Sequence, residues 1–219
     1  KQVTIDTTAP NTTITSAPSG YVSSTSAPVS FSSTESGGYF QLKIGASNWI
    51  NWSGTSFTFT NLPQGSIMFQ VRAIDSLGNV DASPATATWT VDTAAPTSPS
   101  ISINGGASYT TSTGVTLTLS AGGASHMRFK NDSGSWGGWE SYSGSKSWTL
   151  NNTQGSRTVS VIFKDVAGNE TSAVSDVITF DSAAPTSPSI SINGGATYTT
   201  STGVTLALSA GGASHMRFK

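Results

Sequence analysis

Oxygen ligands gather in a five-residue pattern, Asp-x-x-Gly-Asn, that occurs twice, placing Asp75 with Asn79 and Asp165 with Asn169. Each copy offers a carboxylate and an amide oxygen, and Asp92 and Asp181 close strand-like runs further along the chain. Together these groups would suit calcium, a hard cation that takes about six to eight oxygens. Few acids are available against that coordination number. The same pattern builds an Asx-type turn in which Gly adopts a positive φ and the Asp and Asn side chains bond the local backbone. The turn is the simpler reading, with calcium at Asp75, Asn79, Asp92, Asp165, Asn169 and Asp181 as the alternative.

A second chemistry lies in two Trp-x-x-Trp segments, Trp49/Trp52 and Trp136/Trp139. An exposed aromatic face with a polar rim can hold a sugar ring, which makes Trp136 and Trp139 candidate carbohydrate contacts. The packing alternative puts one Trp of each pair in a core and leaves the other partly exposed. Asp132 and Glu140 are the pair nearest to a glycosidase arrangement, yet both fall in a Gly/Ser-rich loop and the first half of the chain has no such pair. His126 and His215 are one residue repeated, without ligand spacing around them, and read as strand histidines. No Gly-x-Ser-x-Gly nucleophile motif and no cysteine is present, so no catalytic residue is assigned and the chain is expected not to be an enzyme.

The elements that position these groups follow from composition and repetition. Charged residues make up 10% of the chain and the net charge is −1, which leaves no basic footprint for nucleic acid or for an anionic membrane. No apolar run approaches the roughly 20 residues of a bilayer span. Aromatic residues at 9% sit inside alternating segments, which favours folded β-structure over disorder.

Residues 94–130 recur at 183–219 with two differences, Ser108 against Thr197 and Thr118 against Ala207. A looser repeat, Asp-x-x-Ala-Pro, recurs at Asp6–Pro10, Asp92–Pro96 and Asp181–Pro185 with spacings of 86 and 89 residues. Such spacings suit one β-sandwich each. The expected organisation is residues 1–6 as the last strand of a preceding domain, domains at 7–92 and 93–181, and the first strands of another at 182–219.

Strands are expected at 29–33, 39–44, 56–60, 67–74 and 85–91 in the first unit. The second unit repeats the logic at 101–103, 115–119, 126–130, 147–150, 159–163 and 177–180. Ile67, Phe69, Val71 and Ala73 alternate onto one face, a face that a second sheet must cover. No segment has a helical period. The fold class is therefore all-β, as tandem immunoglobulin-like β-sandwich domains.

The Asp-x-x-Gly-Asn turn, the Trp-x-x-Trp segment and the Asp-x-x-Ala-Pro junction resemble those of bacterial Ig-like repeats in large extracellular and cell-surface proteins. The resemblance implies an extracellular or cell-surface spacer, stalk or adhesive region whose immediate partners are the adjacent repeats of the same chain. Two alternatives come from other classes. One is a segment of a self-associating filament or sheath, whose partner is a copy of itself. The other is a carbohydrate-binding accessory module. The corresponding outside partners are a surface polysaccharide or a cell receptor.

Overall fold

The computed structural model describes residues 5–218. The expected final strand of a preceding domain, 1–6, therefore lies mostly outside the described residues, and Ile5 and Asp6 carry no strand structure.

The first unit contains β1 (Thr12–Ser16), β2 (Gly20–Val22), β3 (Ala27–Ser33), β4 (Tyr39–Ile44), β5 (Ile50–Trp52), β6 (Ser56–Phe59), β7 (Gly65–Ile74) and β8 (Ala85–Val91). They form a three-stranded sheet, β1-β3-β6, and a five-stranded sheet, β2-β8-β7-β4-β5. The chain crosses from β3 to the β4–β5 hairpin, back to β6, and over again to β7 and β8, which is the topology of an immunoglobulin-like sandwich.

Alternation decides which side chains fill the space between the sheets. Ile67, Phe69, Val71 and Ala73 of β7 are buried, and so are Phe40 and Leu42 of β4, Val29 and Phe31 of β3, and Trp89 and Val91 of β8. The register sets Leu42 opposite Val71 and Ile67 opposite Trp89. Each buried Val, Leu, Ile or Phe among them contributes about 1.5–3 kcal/mol. The five-stranded sheet therefore turns Gln41, Lys43, Met68, Gln70 and Arg72 outward.

The second unit comprises β9 (Thr97–Ile103), β10 (Tyr109–Thr110), β11 (Gly114–Gly122), β12 (His126–Asn131), β13 (Glu140–Ser141), β14 (Ser145–Thr149), β15 (Gly155–Lys164) and β16 (Val174–Phe180). Its sheets, β14-β11-β9 and β10-β16-β15-β12-β13, repeat the plan of the first unit. Its core is Ile103, Val115, Leu117, Leu119, Met127, Phe129, Val159, Val161, Phe163 and Ile178 with their neighbours, and it shares no residue with the first core. The two sets of sheets lie within residues 7–92 and 93–181. Beyond them β17 (Thr186–Ile192) pairs with β18 (Leu206–Gly211) across a single 3-10 turn at Asn193–Gly195. There Ile190, Leu206 and Leu208 are exposed, whereas their second-unit counterparts Ile101, Leu117 and Leu119 pack into or against a core.

Five strands escape the apolar pattern: β1, β2, β5, β10 and β13. All are short edge strands. Sequences such as Thr-Thr-Ile-Thr-Ser in β1 hold their place by backbone pairing with β3, and β2 and β10 run parallel to β8 and β16 at the far edge. Edge pairing needs little apolar alternation, so period-2 hydrophobicity does not mark it.

Candidate functional site

The Asp-x-x-Gly-Asn turns form as local hydrogen-bonded loops. Asp75 Oδ1 accepts from the backbone N–H of Leu77 and of Asn79, both at 2.8 Å, and Oδ2 accepts from Asn79 Nδ2 at 2.6 Å. Asp165 accepts from the backbone N–H and side-chain amide of Asn169 at 2.9 and 2.8 Å. Gly78 and Gly168 take φ of 92° and 95°, a region that only glycine enters freely. Burial pushes the Asp75 carboxyl up, but the hydrogen bonds from Asn79, Leu77 and Gly78 outweigh it and hold it below its ordinary value.

The turns reach the junctions with an offset of one unit. Asn79 Nδ2 donates to the Asp6 carbonyl at 3.1 Å, and Asn169 Nδ2 donates to the Asp92 carbonyl at 2.8 Å. Each turn thus grips the junction before its unit. Pairing of Asp75/Asn79 with Asp92 and of Asp165/Asn169 with Asp181 is not the arrangement found. The junction acids serve the local backbone instead. Asp6, Asp92 and Asp181 each accept a backbone N–H two residues on, from Thr8, Ala94 and Ala183 at 2.9–3.1 Å. These are Asx turns that start the chain's turn into the next unit.

A second grip comes from the unit before the junction, and sequence reasoning missed it. Gln64 accepts from Thr93 N–H at 3.1 Å and donates to the Thr93 hydroxyl. Gln154 does the same with Ser182, at 3.1 and 2.7 Å. The signal was present as Gln-Gly-Ser at 64–66 and again at 154–156, each followed by a long strand, with a hydroxyl residue after each junction Asp.

Among the described residues, Asp6, Glu35 and Asp75 bring one carboxylate oxygen each within 4.8 Å of the others. This is the grouping with the makings of a cation site. Two features weigh against one: Asp75 already receives three N–H groups, and the second junction sets Asp92 beside Asp165 without a counterpart of Glu35. The sequence there shortens the β11–β12 connection to Gly123–Ser125, against residues 34–38 in the first unit.

The Trp pairs correct the packing expectation. Neither member of either pair enters a core; the core tryptophan is Trp89, with Trp148 packed against the second core. Trp52 is exposed at an edge, donating from Nε1 to the Ser56 carbonyl at 2.8 Å. Trp49, Trp136 and Trp139 are half-buried on the outer face of the five-stranded sheets, in the β4–β5 and β12–β13 connections. There they meet cations. Lys43 and Arg72 stand 4.8 and 4.4 Å from the Trp49 ring centre. Arg128 and Lys164 stand 4.4 and 4.2 Å from Trp139, and Lys130 5.1 Å from Trp136. The inward positions of β4 and β12 were already filled by Phe40, Leu42, Met127 and Phe129, so the loop indoles fold over the outward basic residues instead.

The remaining candidates are committed to structural bonds. Asp132 accepts from Arg157 Nη1 at 3.2 Å, Asn151 Nδ2 at 2.7 Å and Thr158 N–H at 2.9 Å, while Glu140 pairs with Lys146 at 2.8 Å. His126 lies on β12 with Nδ1 2.9 Å from the Ser125 hydroxyl, and His215 repeats the contact with Ser214 at 3.0 Å.

No protein-family model matches the chain, and no curated protein matches it in sequence. Solved structures resemble it in three dimensions. The fibronectin(III)-like modules of Clostridium thermocellum CbhA are 17% identical, with 78% of this chain and 94% of that chain covered at a TM-score of 0.49. For the FN1-FN3 domains of chicken CNTN1 the values are 11%, 79%, 67% and 0.45. For the BSP domain of a biofilm associated protein they are 12%, 80%, 30% and 0.29.

Proposed function

We propose that this chain is part of a non-enzymatic spacer or adhesive repeat region that works outside the cell, each sandwich being one link. The observation that carries this is the double grip on the junction. Asp92 and Thr93 are bonded by Gln64 from the unit before and by Asn169 from the unit after. A connection bonded from both sides, with Pro96 fixing its φ, limits hinge motion between links. The separate cores let each link fold as its own unit, and the near-identical copies at 94–130 and 183–219 extend the same link. Carboxylates satisfied by structural bonds support the non-enzymatic part of the reading.

The test is electron microscopy of the native protein together with solution scattering. Ten-residue strands β7 and β15 set a link length on the order of 33 Å. Beaded strings with a bead spacing of that order or somewhat more are expected. A collapsed globule would overturn the spacer, and ordered filaments of many copies would replace it with self-association.

A further inference from the structure

The chain carries ten basic residues, of which Lys1, Arg217 and Lys219 lie at its ends. Of the others, Lys146 and Arg157 are neutralised by Glu140 and Asp132. The remaining five, Lys43, Arg72, Arg128, Lys130 and Lys164, all stand over indole rings on the outer faces of the five-stranded sheets. Among the described residues only Arg128 of these five has an acid partner, Glu170 at 3.0 Å. Lys43, Lys130 and Lys164 make no ion pair there. A chain of net charge −1 thus keeps a positive face in each unit.

The placement of the arginines shows that the charge belongs to the face rather than to one strand. In the first unit Gln41 of β4 is paired with Arg72 of β7. At the equivalent pair in the second unit Arg128 occupies the β12 position and Ile162 the β15 position. The guanidinium has changed strands and kept its station beside a tryptophan. The indoles hold these side chains upright and partly desolvated, an arrangement that strengthens their attraction for an anion.

We propose that these outer faces dock an anionic polysaccharide, one whose sugars bear carboxylate or sulfate groups. This rests on the adhesive side of the proposed function. Two observations select the ligand class. Cations stand 4.2–4.8 Å from the ring centres of Trp49 and Trp139, so a sugar that reaches either indole also meets ammonium or guanidinium, beside amides such as Gln41 and Asn51, and an acidic sugar gains more there than a neutral one. Nucleic acid presents about one phosphate per 1.7 Å and calls for a denser basic track than two or three cations per unit. Acidic groups spaced by sugar rings suit the sparse cations, and repetition of the face along the array multiplies weak contacts into retention.

The test is affinity electrophoresis of the 219-residue chain through gels containing polygalacturonate, heparin or neutral dextran, at low and at high salt. Retardation by polygalacturonate or heparin, relieved by salt and absent with dextran, is expected; which of the two is stronger tells carboxylate from sulfate. Lys130→Gln with Lys164→Gln, and Lys43→Gln with Arg72→Gln, should each weaken retardation about five-fold, and all four together should abolish it. Lys146→Gln with Glu140→Gln, which removes a neutralised ion pair whole, should leave it unchanged. Circular dichroism confirms that each variant is folded. Equal retardation by dextran, no retardation by either acidic polymer, or retardation indifferent to the four substitutions would overturn the proposal. Bead spacing in micrographs is independent of these results, so the spacer reading survives or fails separately.

Discussion

Asp81 offers the sharpest test of how the first sandwich is closed. The residue is 2% exposed. Oδ2 accepts the backbone N–H of Thr12 at 2.9 Å, and Oδ1 accepts the N–H and hydroxyl of Ser83 at 2.8 and 3.0 Å. Thr12 in turn accepts the Ala73 N–H at 2.8 Å through its own hydroxyl, and Asp81 N–H donates to the Ala73 carbonyl. One carboxylate therefore ties β1 to β7, between the two sheets. Replacing it with Ala strands the buried Thr12 N–H at a cost of about 1–3 kcal/mol, and loss of the Ser83 bonds adds about 1 kcal/mol. For a unit of this size that lowers the melting temperature by about 10–20 °C. The pH dependence follows from the direction of its pKa. Burial pushes the carboxyl up, while the bonds from Thr12 and Ser83 outweigh it and set the pKa below its ordinary value of 3.8. A depressed folded pKa contributes stability that is complete above about pH 5 and fades as pH falls through the ordinary value and then through the folded one. The assay is hydrogen exchange by mass spectrometry, which reads residues 12–91 and 97–180 separately, on wild type and Asp81→Asn at about pH 7 and at steps of pH descending below the ordinary value of 3.8. Asp81→Asn should destabilise the first unit at neutral pH, leave the second unchanged, and converge toward wild type in acid. An undiminished gap in acid, or no gap at neutral pH, would refute the carboxylate clamp.

Asn169→Ala and Gln64→Ala should each cost about 1 kcal/mol or less locally but release the junction; residual dipolar couplings that fit one alignment tensor for both units in wild type should require two in the double variant. Phe69→Ala, at a site with no exposure, should destabilise the first unit by about 3–5 kcal/mol and leave exchange in the second unaltered, because the cores share no residue. Calcium at millimolar concentration, or its removal with a chelator, should leave both calorimetric transitions in place, since Asp75 and Asp165 already accept the N–H groups of their own turns; a rise in the first transition alone would place a cation among Asp6, Glu35 and Asp75.

The fold was legible because its information is periodic. Alternation in 67–74 and 159–163 identified β7 and β15. Edge strands such as β2 escaped because backbone pairing, rather than side-chain burial, places them. The site was legible only by residue type. Trp49 and Trp139 were recognisable as unusual, but a single sequence does not say which face a loop indole covers. That follows from β4 and β12 already filling their inward positions, which leaves Lys43, Arg72 and Arg128 to receive the rings. Likewise the acids of the Asp-x-x-Gly-Asn turns were visible as oxygen donors, whereas their use as acceptors of N–H groups depends on φ at Gly78 and Gly168.

The two units share some devices and differ in others. The junction Asx turn, the Gln grip and the Asn grip recur in both units with the same kinds of donor and acceptor. The closure of the sandwich is solved twice in different ways. Asp81 bonds the Thr12 N–H in the first unit, whereas in the second Thr171 takes the Phe163 N–H through its hydroxyl at 3.1 Å and Asp176 takes the Ile103 N–H at 2.7 Å. The requirement there is a side-chain acceptor, buried in the first unit and half-buried in the second, and its chemical identity is free. The acid cluster at Glu35 falls in neither class, because nothing at the second junction replaces it. The basic face behaves like the sandwich closure: the arginine moves between strands while the charge beside the indole stays. The guanidinium beside the loop indole is thus kept in both units by different strands, Arg72 of β7 against Trp49 and Arg128 of β12 against Trp139.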